Sequence, residues 1–119
     1  METISIHRPK IVVIGSCNTD MVVKANRLPG AEVTFISKIG YDLFGLQALE
    51  IYRSEKINTE YIFTDQKSPS GVALISVDSF GENSIIVAPG ASRSLSIEDI
   101  NKAEEKIKEA DIILMQLEI

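Results

Sequence analysis

KIVVIG, at residues 10–15, is the stretch that decides the fold. It contains four consecutive β-branched residues, from Ile11 to Ile14, and ends at Gly15. A continuous apolar run bounded by glycine is typical of a strand that is buried on both faces of a parallel sheet. Residues 31–40, AEVTFISKIG, repeat the pattern and also end on glycine. Both runs therefore predict central strands of a parallel sheet.

A helix is predicted over residues 42–56, DLFGLQALEIYRSEK, with Asp42 as its N-cap. One side of this helix carries the apolar residues Phe44, Ala48, Ile51 and Tyr52. Leu43 and Leu46 fall on the side that should face solvent. Single apolar residues are common on protein surfaces, whereas wide apolar surfaces often mark interfaces, so a contact between protein copies stays open as an alternative.

The second half of the chain continues to alternate strands and helices. Residues 59–65 predict a strand, and residues 71–90 predict an antiparallel hairpin with its turn at 79–82. Residues 96–110 predict an amphipathic helix that is capped by Ser96. Its apolar stripe consists of Ile97, Ile100, Ala103, Ile107 and Ala110. Residues 111–119, DIILMQLEI, predict another fully buried strand.

This order of elements predicts an α/β fold. We expect a Rossmann-like, mostly parallel sheet with about two helices and a local antiparallel hairpin at residues 71–90. Residues 1–9 should form a flexible N-terminal tail, and residues 10–119 a single domain.

The composition argues against several classes of function. The 119 residues are 45% hydrophobic and 24% charged, which suits one globular domain with a modest core. The net charge is −5 and the basic residues are scattered, so no nucleic-acid partner is expected. One cysteine, Cys17, and one histidine, His7, cannot supply a zinc site of the usual kind. The single cysteine, the polar N-terminus and the lack of a long apolar run predict a cytoplasmic protein without a membrane partner.

The segment between the two central strands lacks an expected element. Parallel neighbours need a crossover, which is normally a helix in a unit of about 30 residues or more. Residues 15–32 show no helical pattern, because Asn18, Pro29 and Gly30 interrupt it. Residues 21–25 predict only a short strand. The element that would make the crossover is therefore missing from this segment.

Several blocks of the sequence resemble, in the same order, the ribokinase-like (phosphofructokinase B) family of carbohydrate kinases. The blocks are GSCNTDMVVKANRLP at 15–29, ISKIGYDLFG at 36–45, PSGVALISVDSFGENSIIVAPGAS at 69–92 and SIEDINKAEEKIKEADIILMQLE at 96–118. The resemblance covers nearly the whole chain from Lys10 onward. For complete members it implies phosphorylation of a sugar such as ribose to ribose 5-phosphate, with ATP and Mg²⁺.

The sequence also departs from the family pattern. The lid strand, the GGKGAN sugar clamp and the crossover helix of the family are absent between Pro29 and Gly30. The family's nucleotide-binding half, with its GAGD anion hole and catalytic aspartate, would lie beyond Ile119. We therefore expect an engineered or heavily truncated derivative, with a reconstructed ancestral fragment as the alternative. An NxxE sequence at residues 101–104 resembles a metal-related motif of the family, and we interpret it as a coincidence because of its position.

The resemblance assigns three sugar-binding residues, namely Asn18, Asp20 and Glu118. Amide and carboxylate groups can share hydrogen bonds with vicinal hydroxyls. All three residues lie at or just past the carboxyl ends of predicted parallel strands, where open α/β sheets bind ligands. Alternatively, Asn18 and Asp20 end a strand through local backbone hydrogen bonds. No catalytic or metal-binding residue is assigned.

Three other residues near these strand ends are expected to have structural roles. Gly71 and Ala73, in the hairpin that would neighbour the sugar, should serve packing. Cys17 should be a half-buried, inert thiol rather than a nucleophile, because the sequence places no histidine close to it.

Three functional hypotheses follow. The first is a folded, catalytically inactive module that forms a dimer, binds sugar weakly or not at all, and needs no cofactor. The second is a working part of a kinase whose ATP site is completed by a second chain. The third is a small binding or regulatory domain that has kept the fold without the reaction.

Overall fold

The parallel sheet is present in the structure, a computed structural model that describes residues 8–17 and 30–119. Within these residues the chain forms six strands, three α-helices and a 3₁₀ helix at Gly90–Ser94. The strands and α-helices are numbered in chain order. They are β1 (Lys10–Ile14), β2 (Glu32–Gly40), α1 (Leu43–Ser54), β3 (Ile62–Asp65), β4 (Val72–Val77), β5 (Asn83–Ala88), α2 (Ile97–Lys102), α3 (Glu104–Glu109) and β6 (Ile112–Met115). The predicted α/β fold is confirmed, and the short strand predicted at residues 21–25 lies outside the described residues.

Four strands form the parallel sheet, in the order β3, β2, β1, β6. β1 and β2 are direct neighbours, with Val13 beside Phe35. On its other side β1 pairs with β6, where Val13 lies beside Leu114. The two strands that the sequence predicts as central are therefore parallel neighbours. The connection between them comprises residues 15–31, of which 18–29 lie outside the described residues.

Helices cover the central strands on both faces. On one face, α1 contributes Ala48, Leu49 and Tyr52 to a cluster built on Cys17, Phe35, Ile39 and Ile62. On the other face, α2 and α3 contribute Ile100, Ala103 and Ile107 to a cluster built on Val12 and Ile36. A partly buried ion pair of 2.9 Å between Lys38 Nζ and Asp99 Oδ2 joins β2 to the first turn of α2.

The hairpin of β4 and β5 forms as predicted, with Val72 beside Ala88 and Val77 beside Asn83. Its turn is held by Asp78, whose Oδ1 accepts from the backbone N–H groups of Phe80 and Glu82. Side chains on both faces of the hairpin are exposed. The hairpin is therefore an arm whose two faces lie open.

The predicted helix at residues 96–110 is two short helices that meet at Ala103. The N–H of Ala103 donates to the carbonyl of Ile100, so the last turn of α2 tightens to a 3₁₀ geometry. Ser96 caps α2 as predicted, in a capping box with Asp99. The prediction was wrong for Ile97, which is 80% exposed because it lies in the first turn of α2, outside the packed stripe.

Helix α1 begins after Asp42 as predicted, with Asp42 Oδ1 accepting from the N–H of Gly45. Its apolar face is rotated relative to the prediction. Leu49 packs on the core, whereas Phe44 is 47% exposed and Ile51 is 60% exposed. Leu43 and Leu46 are exposed, as predicted. No helix within the described ranges is long and apolar enough to cross a membrane.

The largest error in the predicted burial concerns the last strand. β6 is predicted as fully buried, yet its four residues are 42–68% exposed. It pairs with β1 on one side, and no strand within the described residues pairs with its other side. β6 therefore has the sequence of an interior strand and the position of an edge strand.

Candidate functional site

The carboxyl ends of β1 and β6 meet through a chain of polar side chains. Gln116 Oε1 accepts from both the backbone N–H and the hydroxyl of Ser16, at 3.0 and 3.1 Å. Gln116 Nε2 donates to Glu118 Oε2 at 3.0 Å. These bonds fix the orientation of the Gln116 amide, because both of its ends are occupied. The carboxylate of Glu118 is thereby tethered beside the segment that follows β1.

Cys17 lies next along this segment and is buried. Its backbone N–H donates to Ser92 Oγ at 3.2 Å, and the Ser92 hydroxyl lies 3.3 Å from the Cys17 carbonyl. Its thiol lies 3.3 Å from the hydroxyl of Tyr52. Burial raises the pKa of the Cys17 thiol, although the hydrogen bond with Tyr52 acts in the opposite direction. A thiol in this setting stays protonated at neutral pH, which supports the predicted inert role.

A second polar cluster joins the carboxyl end of β2 to the base of the hairpin. Ser70 donates to Asp42 through its N–H and its hydroxyl, each at 2.7 Å, and Ser70 Oγ accepts from the N–H of Gly40. Burial acts to raise the pKa of Asp42, but the donors from Ser70 and Gly45 outweigh it and hold this pKa below its ordinary value. Asp42 therefore caps α1 and anchors the hairpin at the same time.

The carboxyl end of β3 carries the third cluster. Asp65 Oδ2 accepts from the hydroxyl of Ser94 at 2.6 Å, and Oδ1 accepts from the N–H of Lys67 at 2.8 Å. The hydroxyl of Ser94 is the main cause that lowers the pKa of Asp65 to about 2. Asp65 is thus ionised at neutral pH, and it ties β3 to the turn that follows β5.

An apolar pocket of about 310 Å³ opens beside the second cluster. It is lined by Asp42, Leu43, Phe44, Pro69, Ser70, Val72, Ala88 and Gly90. Gly90 has a φ of +53°, and a Cβ there would collide with the carbonyl of Pro69. The two ends of the hairpin therefore approach each other closely at this pocket, and glycine is required at position 90.

The predicted sugar-binding residues are only partly described. Glu118 lies at the carboxyl edge of the sheet, where Gln116 links it to Ser16 through two hydrogen bonds. Asn18 and Asp20 lie outside the described residues, and the chain reaches them directly after Cys17. The structure thus brings Glu118 next to the segment that leads to them. Their role in binding sugar stays a prediction.

The other candidates from the sequence lie elsewhere. Ala73 is paired with Val87 inside the hairpin, and Gly71 is buried at its base. Asn101 and Glu104 of the NxxE sequence are exposed on α2 and α3, and Glu104 pairs with Lys108. In the parts of the chain that the structure describes, no three His, Cys, Asp or Glu residues are grouped so that they could hold a metal ion.

The sequence reasoning missed the serine and glutamine residues of these clusters. Ser70 and Ser92 lie in the blocks PSG and GAS, beside glycine and at the ends of the hairpin strands. That placement was a usable signal, since polar residues at strand ends collect at one edge of a parallel sheet. Gln116 gave a weaker signal, because it stands inside the run that predicts a buried strand.

Comparison with known proteins shows that the chain is similar to carbohydrate kinases. A family model described as "pfkB family carbohydrate kinase" matches residues 22–116. The chain is 30% identical to a ribokinase of Mus musculus, over 92% of this chain and 43% of that protein. It is 38% identical to a ribokinase of Haemophilus influenzae, over 90% of this chain and 35% of that protein.

A solved structure gives the same result. The ribokinase from Giardia lamblia superposes with a TM-score of 0.75 at 25% identity, covering 95% of this chain and 43% of that one. The chain thus spans less than half the length of each of these three relatives.

Proposed function

The chain belongs to the pfkB family of carbohydrate kinases, and we propose that it is the sugar-side part of a ribokinase-like enzyme that does not catalyse phosphoryl transfer by itself. One observation carries the proposal. The 119 residues correspond to only 35–43% of ribokinases that they match over nine-tenths of their own length. More than half of each of these relatives has no counterpart in the 119 residues.

The chemistry of the reaction supports inactivity. Phosphoryl transfer requires a phosphate cradle, groups that organise the metal, and a residue that orients the attacking hydroxyl. The 119 residues contain no GAGD stretch, which the resemblance gives as the anion hole of the family. The polar clusters at the strand ends consist of hydroxyls, one amide and carboxylates, which suit sugar hydroxyls better than phosphates.

A deletion inside the sugar-side part is also proposed, with its junction between Pro29 and Gly30. The alignment with the Mus musculus ribokinase runs over 138 positions, although only about 110 residues of this chain take part. That relative therefore carries residues within the matched region that this chain lacks. The alignment with the Haemophilus influenzae protein requires no such extra positions. The deletion can be of engineered or natural origin.

The activity test uses the purified chain with ribose, ATP and Mg²⁺, and it measures ADP release. We expect no ribose-dependent release above a protein-free control, with the Haemophilus influenzae ribokinase as the positive control. Ribose-dependent release that scales with the concentration of the chain would refute the proposed inactivity.

Sugar binding is proposed to be weak or absent, because Asn18, Asp20 and Glu118 would act without the family's glycine-rich clamp. Calorimetric titration with ribose should give no saturable heat. Saturable binding in the sub-millimolar range that disappears in Asp20→Ala would overturn this part of the proposal and restore a working sugar site.

Self-association into a dimer is the remaining part of this proposal. Leu43, Phe44 and Leu46 on α1 are about half to two-thirds exposed. Leu43 and Phe44 line the apolar pocket at the base of the hairpin, and Leu46 is three residues after Leu43 on the same side of the helix. A contiguous apolar surface of this kind favours contact between copies. Light scattering over a wide range of protein concentration should give the mass of a dimer. Leu46→Glu should shift it toward the monomer, whereas Phe80→Glu at the distant hairpin turn should not.

The second candidate function is a cytoplasmic kinase part that a second polypeptide completes. The observation that favours it is the open side of β6, where an interior-type strand lies at the edge of the sheet. Its test is recovery of ribose-dependent ADP release when the missing part of a relative is supplied as a separate chain.

A further inference from the structure

Gln116 is attached to β1 through its backbone and through its side chain. Its N–H donates to the carbonyl of Ile14 at 2.9 Å, and its Oε1 accepts from the N–H and the hydroxyl of Ser16. Ser16 is 4% exposed, so the bonds to the side chain start from a buried part of the chain. A Cβ at Gly15 would lie 3.1 Å from Gln116 Oε1 and 3.2 Å from Gln116 Cβ, so the side chain also packs closely on the end of β1.

The chemistry of Ser16 decides which end of the Gln116 amide points outward. The backbone N–H of Ser16 can only donate, so the carbonyl oxygen of the amide must face it. The amide nitrogen then faces Glu118, and Nε2 donates to Glu118 Oε2 at 3.0 Å. An ionised carboxylate can only accept, so the amide nitrogen is the matching partner for Glu118. The hydrogen bonds of Gln116 therefore have a single direction.

Glu118 depends on this bond for its orientation. Its side chain is exposed, and within the described part of the chain Gln116 supplies the one hydrogen bond that it receives. An exposed glutamate without a partner samples several rotamers, and it loses that freedom when a ligand fixes it. A carboxylate that is already held loses less conformational entropy on binding.

We propose that Gln116 is a positioning residue for sugar binding, which holds the carboxylate of Glu118 in one orientation at the carboxyl edge of the sheet. The ligand class is a molecule with vicinal hydroxyls, whose O–H groups donate to the remaining acceptor positions of that carboxylate. The inference rests on the proposed function, because the contact between Glu118 and sugar is itself proposed. It adds Gln116, which acts on the sugar only through Glu118.

The first measurement follows the rotamer of Glu118 by NMR. Three-bond couplings about its Cα–Cβ bond should show one predominant rotamer in the unchanged chain and averaging in Gln116→Met, which keeps the length of the side chain and removes the amide. Gln47→Met, on the exposed side of α1, is the matched control and should leave the couplings unchanged. If Gln116→Met does not fold, Gln116→Glu takes its place, since it can still accept from Ser16.

The second measurement is the affinity for ribose, taken from the NMR shifts of the backbone amides at residues 15–17 and 116–118. Ribose is raised to several hundred millimolar, so that binding too weak for calorimetry is also detected. Gln116→Glu keeps an oxygen for Ser16 but turns a second, charged oxygen toward Glu118, so the two carboxylates repel each other. It should raise the dissociation constant at least about fivefold, and Gln47→Glu should not change it.

The outcomes separate the role of Gln116 from the proposed function. Averaging in Gln116→Met together with weaker ribose binding in Gln116→Glu supports the positioning role. Averaged couplings in the unchanged chain, couplings that Gln116→Met leaves unchanged, or equal affinity in Gln116→Glu would overturn it. Shifts that do not saturate with ribose in the unchanged chain would overturn it as well, while the proposed inactivity and weak or absent sugar binding would stand. Sub-millimolar binding that is lost in Gln116→Glu would support the positioning role and refute the proposed weak binding.

Discussion

Strands β2 and β6 both contain adjacent large apolar residues, but the two strands have opposite surroundings. Phe35 and Ile36 in β2, like residues 112–115 of β6, point to both faces of the sheet, which predicts burial on both faces. In β2, Ile36 is 0% exposed and Phe35 is 5% exposed, whereas in β6 the corresponding values are 42–68%. The difference is not in the strands themselves but in the elements that cover them. An apolar run thus predicts that a strand is suited to burial on both faces. In the described structure, β6 is not buried in this way.

The largest difference in the free energy of unfolding is expected between two variants that each shorten one aliphatic side chain, one in β2 and one in β6. Ile36→Ala in β2 removes a fully buried side chain and should lower the free energy of unfolding by about 2–5 kcal/mol. Leu114→Ala in β6 should lower it by less than about 1 kcal/mol, because the side chain is already half in water. Urea unfolding of both variants measures the difference. Equal losses would mean that β6 is as well packed as β2.

A smaller loss of stability is expected from weakening the ion pair that joins β2 to α2. Asp99 accepts from Lys38 Nζ and completes the capping box with Ser96. Asp99→Asn should lower the free energy of unfolding by about 1–2 kcal/mol, since the cap and the ion pair both weaken. Glu105→Gln, on the exposed side of α3, serves as the control and should change it by less than about 0.5 kcal/mol. A loss in the control as large as that in Asp99→Asn would refute the special role of this pair.

The dependence of stability on pH should report the polar clusters at the strand ends. The pKa of Asp65 is lowered to about 2 by the hydroxyl of Ser94 and the N–H of Lys67, and the pKa of Asp42 is lowered as well. A carboxyl whose pKa is lower in the folded state stabilises the fold above its ordinary pKa of about 4, and it loses this contribution as the pH falls toward the folded value. Stability should therefore fall between about pH 4 and pH 2.

Chemical unfolding at a series of pH values measures this slope. Asp65→Asn should make the slope shallower, because one of the groups that takes up a proton has been removed. A free energy of unfolding that stays constant or rises from pH 4 to pH 2 would contradict the lowered pKa values.

The smallest change in stability is expected at Ser37, in the part of the sheet that helices cover. The hydroxyl of Ser37 in β2 is fully buried and has no hydrogen-bond partner within the described residues. Ser37→Ala should therefore leave the stability unchanged or raise it by up to about 1 kcal/mol. Thermal unfolding is sufficient to measure this change. A clear loss of stability would show that the hydroxyl has a partner after all.

Much of the fold was predictable because local signals agreed with the tertiary structure. Local residues alone were enough to predict several elements. These are the strands at residues 10–15 and 31–40, the helix caps at Asp42 and Ser96, and the hairpin at 71–90. The break at Ala103 and the exposure of β6 were not predictable, since both depend on which elements pack against a segment. For the site, the position of Glu118 followed from strand order, whereas the bonds of Gln116 and Ser70 depend on side-chain geometry that spacing does not encode.

Hydrogen exchange on the isolated chain tests most directly the claim that β6 is an interior strand without its neighbours. Backbone amides of β2 at residues 33–37 should exchange slowly, because β1 bonds to one side of this stretch, the segment at residues 58–62 bonds to the other side, and helices cover it. Those amides of β6 that face the open side should exchange orders of magnitude faster, while the ones bonded to β1 are partly protected. Uniformly slow exchange across residues 112–115 in the isolated chain would contradict the account.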